Sequence, residues 1–424
     1  MSPRELLAEL QRAAVAAAHA GRALERALAS RDPGPGPFVL LAAGKAACAM
    51  AEAAQRALGP RIARGEVTTK DGHGRPLARL TLREAAHPLP DARSAAAARS
   101  ALELAASVRP DESLLVLLSG GASALWCAPA EGLTLADKRR TTELLLRTDA
   151  EIHELNTVRR HLSALKGGGL ARAARGRRVR VFAVSDVRGD SLADLGSGPA
   201  SADPTTFADA LSVLHAHRLA GEVPRAVLAR IERGAAGELA ETLEPGDPIL
   251  ASVSAEVVAS LELALAAAAR AAEARGLRAR VLPDALYGEV DSVARALAGA
   301  ARAARADGAD LVIAGGEPTV VVRGSGQGGR AQELALRVAL ALQGEDFTAL
   351  CAGTDGSDGA TSAAGAFSDA TSLARASALR LDVRAQLARS DAHPLLAALG
   401  DLFVTGPTET NVADLALVLM RAAR

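Results

Sequence analysis

The chain has 424 residues, of which 49% are hydrophobic but only 2% aromatic, and its 49 Lys and Arg residues equal its 49 Asp and Glu residues. This length exceeds what one hydrophobic core usually serves, so we expect two domains. The balanced charge removes the electrostatic argument for a nucleic-acid or anionic-membrane partner, and small molecules are the expected partners.

The three cysteines, Cys48, Cys127 and Cys351, are far apart and form no CxxC pair, which indicates neither a disulfide framework nor a zinc site. Glu5 and Glu9 stand where a signal peptide would carry its apolar core, and no stretch approaches the ~18 apolar residues of a membrane span. We therefore expect a cytoplasmic protein. Whether it forms a homodimer is left open by the sequence.

Apolar runs alternate with helical patterns through the first half of the chain. Helical periodicity covers residues 3–29, and a breaker, RDPGPGP, separates it from an apolar run at 38–43. Further runs at 114–118 and 179–184 each lead into a polar, glycine-containing turn and then a helix. This alternation predicts an α/β fold with a doubly wound sheet.

Two turn-rich segments, 196–204 and 237–248, interrupt this pattern, and we place the domain boundary after residue 240. Beyond it the sequence predicts a helix at 255–273, a strand at 278–283, a helix at 290–304, strands at 311–316 and 319–323 joined as a hairpin, a helix at 330–342, a strand at 347–353 and a last strand at 401–406.

Lysine is nearly excluded, with four lysines against 45 arginines. Two of the four lie beside glycine, Lys45 in AAGKAA and Lys166 in LKGGG. Either a compact ammonium is needed at these positions, or the lysines are there by chance. Lys45 directly follows a strand, where it could neutralise a transferring phosphoryl group. The alternative, an ordinary lysine in a first helical turn, would oppose the helix dipole. The GxxxxGK spacing of a Walker A loop is missing.

Ligands of open α/β sheets bind beyond the carboxyl ends of the strands, where this chain is rich in glycine. The SGGAS loop, with Ser119, Gly120, Gly121 and Ser123, could present backbone N–H groups and a helix N-terminus to a phosphate. An ordinary strand-to-helix turn is the alternative.

Acidic side chains follow three of the predicted strands. In SDVRGD, Asp186 and Asp190 suit a Mg²⁺ site or a proton acceptor for a substrate hydroxyl, although one of them could simply cap a helix. GGEP adds Glu317, and GTDGSDG adds Asp355 and Asp358, for which turn formation is the alternative.

The GSGQGG segment at residues 324–329 formally matches the GxGxxG dinucleotide fingerprint. The predicted hairpin before it argues against a βαβ unit. Arg330 follows directly and could bind a carboxylate or phosphate in bidentate fashion, or simply face solvent. The histidines form no nucleophile or metal constellation, and His87 in AHPLPD lies in a predicted rigid proline turn.

Eight ordered motifs resemble those of the class II glycerate kinases, the glycerate 2-kinase family whose C-terminal half is the MOFRL domain. The resemblance spans nearly the whole chain and rests on AAGKAA, HPLPD, LLSGGASAL, ELNTVRRHLSALKGGGLA, AVSDVRGDSLADLGSGP, GGEPTVVVRGSGQGGRAQELAL, GTDGSDGATSAAGA and TGPTETNVADL.

The resemblance implies ATP- and Mg²⁺-dependent phosphorylation of D-glycerate at the 2-hydroxyl. It also implies a Rossmann-like domain (1–240), a smaller α/β domain (241–424), and an active site in the cleft between them. Carried over by motif, the catalytic residues are Lys45, Arg330 and Asp190, the nucleotide-binding residues are Ser119, Gly120, Gly121, Ser123, Glu317 and Asp355, and the metal ligands are Asp186 and Asp190.

In this hypothesis Arg330 binds the glycerate carboxylate and Lys45 contacts the transferring phosphoryl group or the substrate. Two other hypotheses stay open: an NAD(P)-dependent hydroxypyruvate reductase, suggested by GSGQGG, and a binding homologue without turnover. The last is suggested by four departures from the family pattern, which usually has Asn, Asp, Gly and Asn where this chain has Ala331, Ser362, Glu409 and Ala413. Glu409 in place of glycine would strain its turn if its φ were positive.

Overall fold

A computed structural model describes residues 1–420 of the chain. Its first part forms α1 (Pro3–Ala17), α2 (Ala20–Ser30), β1 (Phe38–Ala43), α3 (Ala47–Leu58), β2 (Ile62–Lys70), β3 (Thr81–Ala85), α4 (Ala92–Ala106), β4 (Ser113–Leu118), α5 (Ala122–Leu125), α6 (Leu135–Leu146), α7 (Ile152–His161), α8 (Gly169–Ala173), β5 (Val179–Val184), α9 (Phe207–Ala216), α10 (Arg225–Ala235) and β6 (Val253–Ala259).

The remainder forms α11 (Leu261–Glu273), β7 (Ala279–Leu282), β8 (Gly288–Glu289), α12 (Val290–Ala306), β9 (Leu311–Gly316), β10 (Pro318–Thr319), α13 (Arg330–Ala341), β11 (Phe347–Gly353), β12 (Gly365–Asp369), α14 (Ser372–Ala378), α15 (Val383–Ala388), α16 (Ala392–Leu399), β13 (Leu402–Phe403) and β14 (Asp414–Met420).

Two compact units are formed. The first unit is residues 20–258, and the second unit is residues 1–19 together with the chain from residue 259 onward. The first unit contains a six-stranded sheet of order β3-β2-β1-β4-β5-β6, in which the pairs from β3 to β5 are parallel. This is the strand order of Rossmann-like doubly wound folds, so the predicted fold class is confirmed.

The central strands β1 (FVLLAA) and β4 (SLLVLL) are buried at every position, as expected for parallel strands covered on both faces. Val39, Leu41 and Ala43 of β1 share a core with Ala97 and Ala101 of α4. Because alanine is small, the helix packs close to the sheet, which explains how a chain with so few aromatic residues builds its core. A separate core joins helices α6, α7, α9 and α10.

The second unit contains a mixed six-stranded sheet of order β13-β12-β11-β14-β9-β7. Within the described part of this sheet, β7 and β9 pair in parallel and the strands from β13 to β9 are antiparallel. Helix α1 packs on α11 and β11 in this unit. Arg4 fixes α1 there, because its guanidinium bonds to Asp369 at 2.5 Å and to the fully buried carboxylate of Asp401 at 2.7 Å.

Several sequence predictions were wrong. The helix predicted at 3–29 is interrupted after Ala17, and its two parts lie in different units. The helix predicted at 255–273 begins only at Leu261, because residues 253–259 form β6, which lies beside β5 in the first sheet. With that strand included, the first unit runs from residue 20 to residue 258.

The predicted hairpin was also wrong, since the second strand is reduced to Pro318–Thr319 and pairs with Gly288–Glu289 instead of with β9. The strand predicted at 401–406 is only two residues long, and the strands β2, β3, β12 and β14 were not predicted. Within residues 1–420, none of the helices has both the length and the apolar character that crossing a membrane requires.

Candidate active site

Three post-strand loops of the first unit start side by side. Ala43 at the end of β1 pairs with Leu118 of β4, and Leu118 pairs with Ala183 of β5. The loops that begin at Gly44, Ser119 and Ser185 therefore leave the same edge of the sheet. The chain winds outward to β2 and β3 on one side of β1 and to β5 and β6 on the other, so the β1/β4 boundary is the topological switch point where open α/β sheets bind ligands.

The loops after β1 and β4 are locked together through their backbones. Lys45 donates its N–H to the Gly120 carbonyl at 2.9 Å, and Ala46 donates its N–H to the Ser119 hydroxyl at 3.1 Å. Gly44 has φ +132°, and a Cβ there would lie 2.1 Å from Ser119 Oγ. Glycine is required at this position because nothing larger fits between the two loops.

The Lys45 side chain lies against the SGGAS loop. A Cβ built on Gly121 would be 3.5 Å from Lys45 Cγ and 3.1 Å from the His87 ring, so the three residues are immediate neighbours. Lys45 is partly exposed and precedes α3, which starts at Ala47. Lys45 and the SGGAS loop, which were predicted as separate candidates, are thus neighbours, and His87 lies beside them.

One element of the SGGAS prediction does not hold. The helix after the loop, α5, is only four residues long and begins after Gly121 in the left-handed conformation. A single turn carries little macrodipole, because that field arises from many aligned peptide units. Any anion held here would be bound by loop N–H groups and side chains rather than by a helix N-terminus.

Asp186 and Asp190 both lie on the loop after β5 and are partly exposed. Asp190 has φ +54° and follows Gly189 at φ +70°, so the loop turns sharply there. Within the described residues, no three His, Cys, Asp or Glu side chains are grouped to hold a metal ion. Two carboxylates and phosphate oxygens are the usual donor set of Mg²⁺, so the aspartates fit that ion, and the metal assignment stays a prediction.

A second cluster forms at one edge of the sheet in the second unit. Asp414 at the start of β14 pairs with Gly316 of β9 on one side and with Gly353 of β11 on the other. Glu317 follows Gly316 directly, and a Cβ built on Gly353 would be 3.4 Å from both Asp414 Oδ1 and Asp355 Oδ1. Antiparallel pairing therefore brings Glu317, Asp355 and Asp414 to the same edge.

Arg330, the first residue of α13, binds two of these carboxylates. Its Nε and Nη2 donate to Asp414 at 2.6 and 3.1 Å, and its Nη1 donates to Glu317. Asp414 is 6% exposed, Arg330 34% and Glu317 44%. Three of the five guanidinium N–H groups are used in these bonds, and the other two donate to no acceptor within residues 1–420.

The ion pair is reflected in the pKa values of both partners. Burial raises the pKa of Asp414 to about 6, and the Arg330 guanidinium lowers it only in part. Burial also opposes the charge of Arg330, but the carboxylates of Asp414 and Glu317 outweigh it and raise the pKa of Arg330. Arg330 is therefore charged at any physiological pH.

Asp355 and Asp358, three positions apart in the same loop, have different partners. Asp355 accepts bonds from the Ser357 N–H at 2.9 Å and the Ser357 hydroxyl at 3.0 Å, as in an Asx turn. Asp358 is 4% exposed and accepts the N–H groups of Ala331 and Gln332 at the start of α13. Asp358 thus caps the helix that carries Arg330, and burial raises its pKa.

The GSGQGG loop does not form a dinucleotide site. A Cβ on Gly324 or Gly326 would lie 2.6 or 2.7 Å from the Arg389 carbonyl, and one on Gly329 would lie 2.2 Å from the Asp358 carboxylate. The space beside these glycines is thus occupied by other residues of the protein, and the N-terminus of α13 is already capped by Asp358. No regular strand precedes the loop, so the fingerprint lacks its structural context.

Two functional groups were missed by sequence reasoning. Asp414 is the main partner of Arg330, and its signal was the apolar run LALVLM that follows it, which marks a buried strand. Arg159 was not singled out, although it donates to Ser123 Oγ at 2.6 Å. Lys166 was noticed as a lysine beside glycine, and its ammonium also binds Ser123.

The four departures have different structural settings. Glu409 has φ +60° and Ala413 has φ +67°, so the strain expected at Glu409 is present and Ala413 shares it. Ala331 is buried and Ser362 is exposed. None of the four is a direct partner of Arg330, whose contacts are with Glu317 and Asp414.

Family models match both halves of the chain. A family model described as a domain of unknown function (DUF4147) matches residues 6–232, and the MOFRL family model matches residues 310–414. The chain is 36% identical to the glycerate 2-kinase of Pyrococcus horikoshii, with 92% of this chain and 88% of the relative covered. It is also 40% identical to a putative hydroxypyruvate reductase of Agrobacterium vitis, with 99% and 95% covered.

Among solved structures, the chain is similar to the glycerate kinase of Thermotoga maritima, with a TM-score of 0.85 and 35% identity over 98% of this chain and 99% of that one. These similarities extend through both units and include the loops that carry Lys45 and Arg330. The chain therefore belongs to the glycerate 2-kinase family.

Proposed function

We propose that this protein is an ATP-dependent glycerate 2-kinase that transfers the terminal phosphoryl group of the nucleotide to the 2-hydroxyl of D-glycerate. The observation that carries the proposal is the position of Lys45. Its backbone is bonded to the SGGAS loop at the switch point of a Rossmann-like sheet, and its side chain lies against the same loop. Phosphoryl transfer needs positioning and charge neutralisation, which a lysine on a rigid glycine loop supplies.

Each residue of the hypothesis has a role that fits its surroundings. Lys45 neutralises charge on the phosphoryl group, and the Ser119–Ser123 loop binds nucleotide phosphates. Arg330 orients the glycerate carboxylate with its two remaining N–H groups, because Asp414 and Glu317 fix the plane of its guanidinium. Asp190 orients the 2-hydroxyl or accepts its proton. Glu317 and Asp355 contact the nucleotide in this proposal. That the active site lies between the domains stays a prediction.

Asp186 and Asp190 are the residues that would hold Mg²⁺ in this protein. When bound with the nucleotide, the ion neutralises charge on the phosphate oxygens. The protein side of the site is the sharply turned loop after β5, which holds both carboxylates at the sheet edge that also carries Lys45. The three cysteines are free and buried, which supports a reducing, cytoplasmic location.

The hydroxypyruvate reductase hypothesis has support from the names of two relatives, but the packing of GSGQGG speaks against a bound dinucleotide. A non-catalytic binding homologue is disfavoured because Lys45, Arg330 and the Arg330 partner Asp414 are all present. The activity is therefore proposed to be that of a working kinase.

A coupled assay of ADP release over a panel of small hydroxy acids tests the proposal, with D-glycerate expected to give the highest kcat/KM. Lys45→Ala and Arg330→Ala are expected to lower kcat/KM by about 10²–10³-fold, the range typical of removing one charge-stabilising group. Arg56→Met, which removes an exposed cation from α3, is the control. NADH oxidation with hydroxypyruvate would support the reductase instead, and binding of ATP and glycerate without ADP release would support the binding homologue.

A further inference from the structure

The motif RRHLSALKGGG, which the proposed roles leave unused, forms a cationic cluster around Ser123. Lys166 is 2% exposed, and its ammonium donates to Ser123 O at 2.9 Å, Ser123 Oγ at 2.8 Å and Gly196 O at 3.1 Å. Its three donors are thereby all used. Lys166 thus joins its own KGGG loop to the SGGAS loop and to the GSGP loop.

Arg159 reaches the same hydroxyl from α7. Its Nη2 donates to Ser123 Oγ at 2.6 Å, and this is its one hydrogen bond within the part of the chain that the structure describes. Four of its five N–H groups therefore remain available, and the residue is partly exposed. Arg159, unlike Lys166, is able to bind a further group.

Ser123 is saturated as an acceptor. Its hydroxyl oxygen has two lone pairs, which the donors from Arg159 and Lys166 occupy, so its own proton is donated to Ser197 Oγ at 3.0 Å. Ser197 is fully buried and has φ +62°, a conformation that a non-glycine residue keeps only when its surroundings impose it. The hydroxyl of Ser123 is therefore held in one orientation.

The two cations lack a counter-charge. Within residues 1–420, neither Arg159 nor Lys166 contacts a carboxylate. The adjacent Arg160 is different, because it bonds to Asp194 at 2.6 Å and to Asp203 at 3.2 Å. Burial, followed by the repulsion of Arg159 and Lys138, lowers the pKa of Lys166 well below its usual value. Uncompensated charges in such a place are costly unless an anion completes the site.

The cluster also adjoins the Lys45 loop, since Ser123 lies two residues after Gly121, the neighbour of Lys45 and His87. We propose that Arg159 binds an anionic oxygen group of a substrate, either a nucleotide phosphate or the glycerate carboxylate, and that Lys166 positions Ser123 and the SGGAS loop for it. This inference rests on the proposed kinase function for the identity of the anion, but not for its existence.

The test compares Arg159→Met, Arg159→Lys and wild type as full-length proteins. Calorimetric titration measures the affinity for inorganic tripolyphosphate, which represents the phosphate chain of a nucleotide, and separately for D-glycerate. Arg159→Met is expected to weaken one of the two by about 10–100-fold, as for the loss of a charge-assisted bond, and Arg159→Lys is expected to recover part of it. The anion whose affinity falls identifies the source.

Arg140→Met is the matched control, because Arg140 is an exposed arginine on the neighbouring helix α6. It should leave both affinities within twofold of wild type. Lys166→Met is expected to raise KM for the same substrate and to lower the melting temperature, whereas Arg159→Met should leave the melting temperature unchanged. Affinities within twofold of wild type for both anions in a folded Arg159→Met protein would overturn the proposal.

The titrations separate this inference from the kinase function. If wild type turns over no glycerate but Arg159→Met still loses anion affinity, the inference stands and the proposed function fails. If wild type is an active kinase and Arg159→Met binds both anions normally, the function stands and the inference is wrong.

Discussion

In the first unit, Arg159 and Lys166 both bond to the neutral hydroxyl of Ser123 and contact no carboxylate among the described residues. In the second unit, by contrast, Arg330 is bonded to two carboxylates and lies near a third, that of Asp358. The first arrangement has excess positive charge, which in our proposal attracts an anion. The second has no such excess, so in our proposal Arg330 acts through the direction of its remaining N–H groups. Charge is therefore the expected source of affinity at the Ser123 cluster, whereas fixed geometry is the expected source of orientation at Arg330.

Removing the charge of Asp414, the buried partner of Arg330, should have the largest effect on stability and activity. Asp414→Asn keeps the shape of the side chain but leaves the guanidinium without its buried counter-charge, so we expect a loss of about 3 kcal/mol in the free energy of unfolding of the second unit. We also expect kcat/KM to fall by about 10–100-fold, because the guanidinium plane is no longer fixed. Chemical denaturation and steady-state kinetics measure the two effects.

Glu317→Gln is the control for Asp414→Asn. Glu317 is 44% exposed, and solvent-screened pairs of this kind contribute less than about 1 kcal/mol. Equal losses of stability in the two variants would show that burial of Asp414 does not distinguish the two partners of Arg330.

Gly44→Ala should disrupt the first unit where the backbones of the loops after β1 and β4 meet. The new Cβ would lie 2.1 Å from Ser119 Oγ and 2.5 Å from Ser119 O, so the loops after β1 and β4 must separate. We expect a loss of about 2–3 kcal/mol and of most activity. Gly132→Ala is the control, because Gly132 also has a positive φ, +80°, but nothing within 4 Å, and it should lose only about 1 kcal/mol.

Acid should weaken the second unit through Asp369. Burial raises the pKa of this carboxyl, but bonds from Thr371 and Arg4 outweigh it and lower the pKa to about 2. Its stabilising contribution is therefore present above about pH 4 and is lost as the pH falls toward 2. Solvent screening reduces the linked free energy to about 1–2 kcal/mol. Asp369→Asn should remove that amount of stability at pH 7. In urea denaturation, the difference between the free energies of unfolding at pH 7 and pH 3 should be smaller for Asp369→Asn than for wild type.

Glu409→Gly should give the smallest effect, a gain of about 0.5–1 kcal/mol. The change relieves a side chain at φ +60°, and the contact of 3.3 Å with His19 that it removes is partly exposed. Ala397→Gly on the exposed face of α16 is the control and should lose about 1 kcal/mol. No rise in melting temperature for Glu409→Gly would mean that the turn is not strained at this position.

The sequence predicted those parts of the fold and site that depend on local pattern. Residues 38–43 and 311–316 are strands as predicted, because an apolar run between glycine-rich turns is a local signal. Lys45 and the SGGAS loop were each predicted to follow a strand, and they are neighbours because the ends of parallel strands share one sheet edge.

Other parts depend on pairings between distant residues. Asp414 reaches Arg330 only because β14 inserts antiparallel between β9 and β11, and no local pattern specifies that order. Asp355 and Asp358 look alike in sequence, and only the position of the α13 N-terminus shows which one is the cap. The GxGxxG match was misleading for the same reason, since packing against residues 389–391 is a long-range contact.

Helix α1 has a consequence for the order in which the two units can fold. It precedes the first unit in the chain, whereas its partners α11 and β11 and its anchors Asp369 and Asp401 follow that unit. During synthesis the whole first unit is therefore made before the partners of α1 exist. We expect the second unit to fold last, and we expect deletion of α1 to destabilise the C-terminal sheet on which it packs.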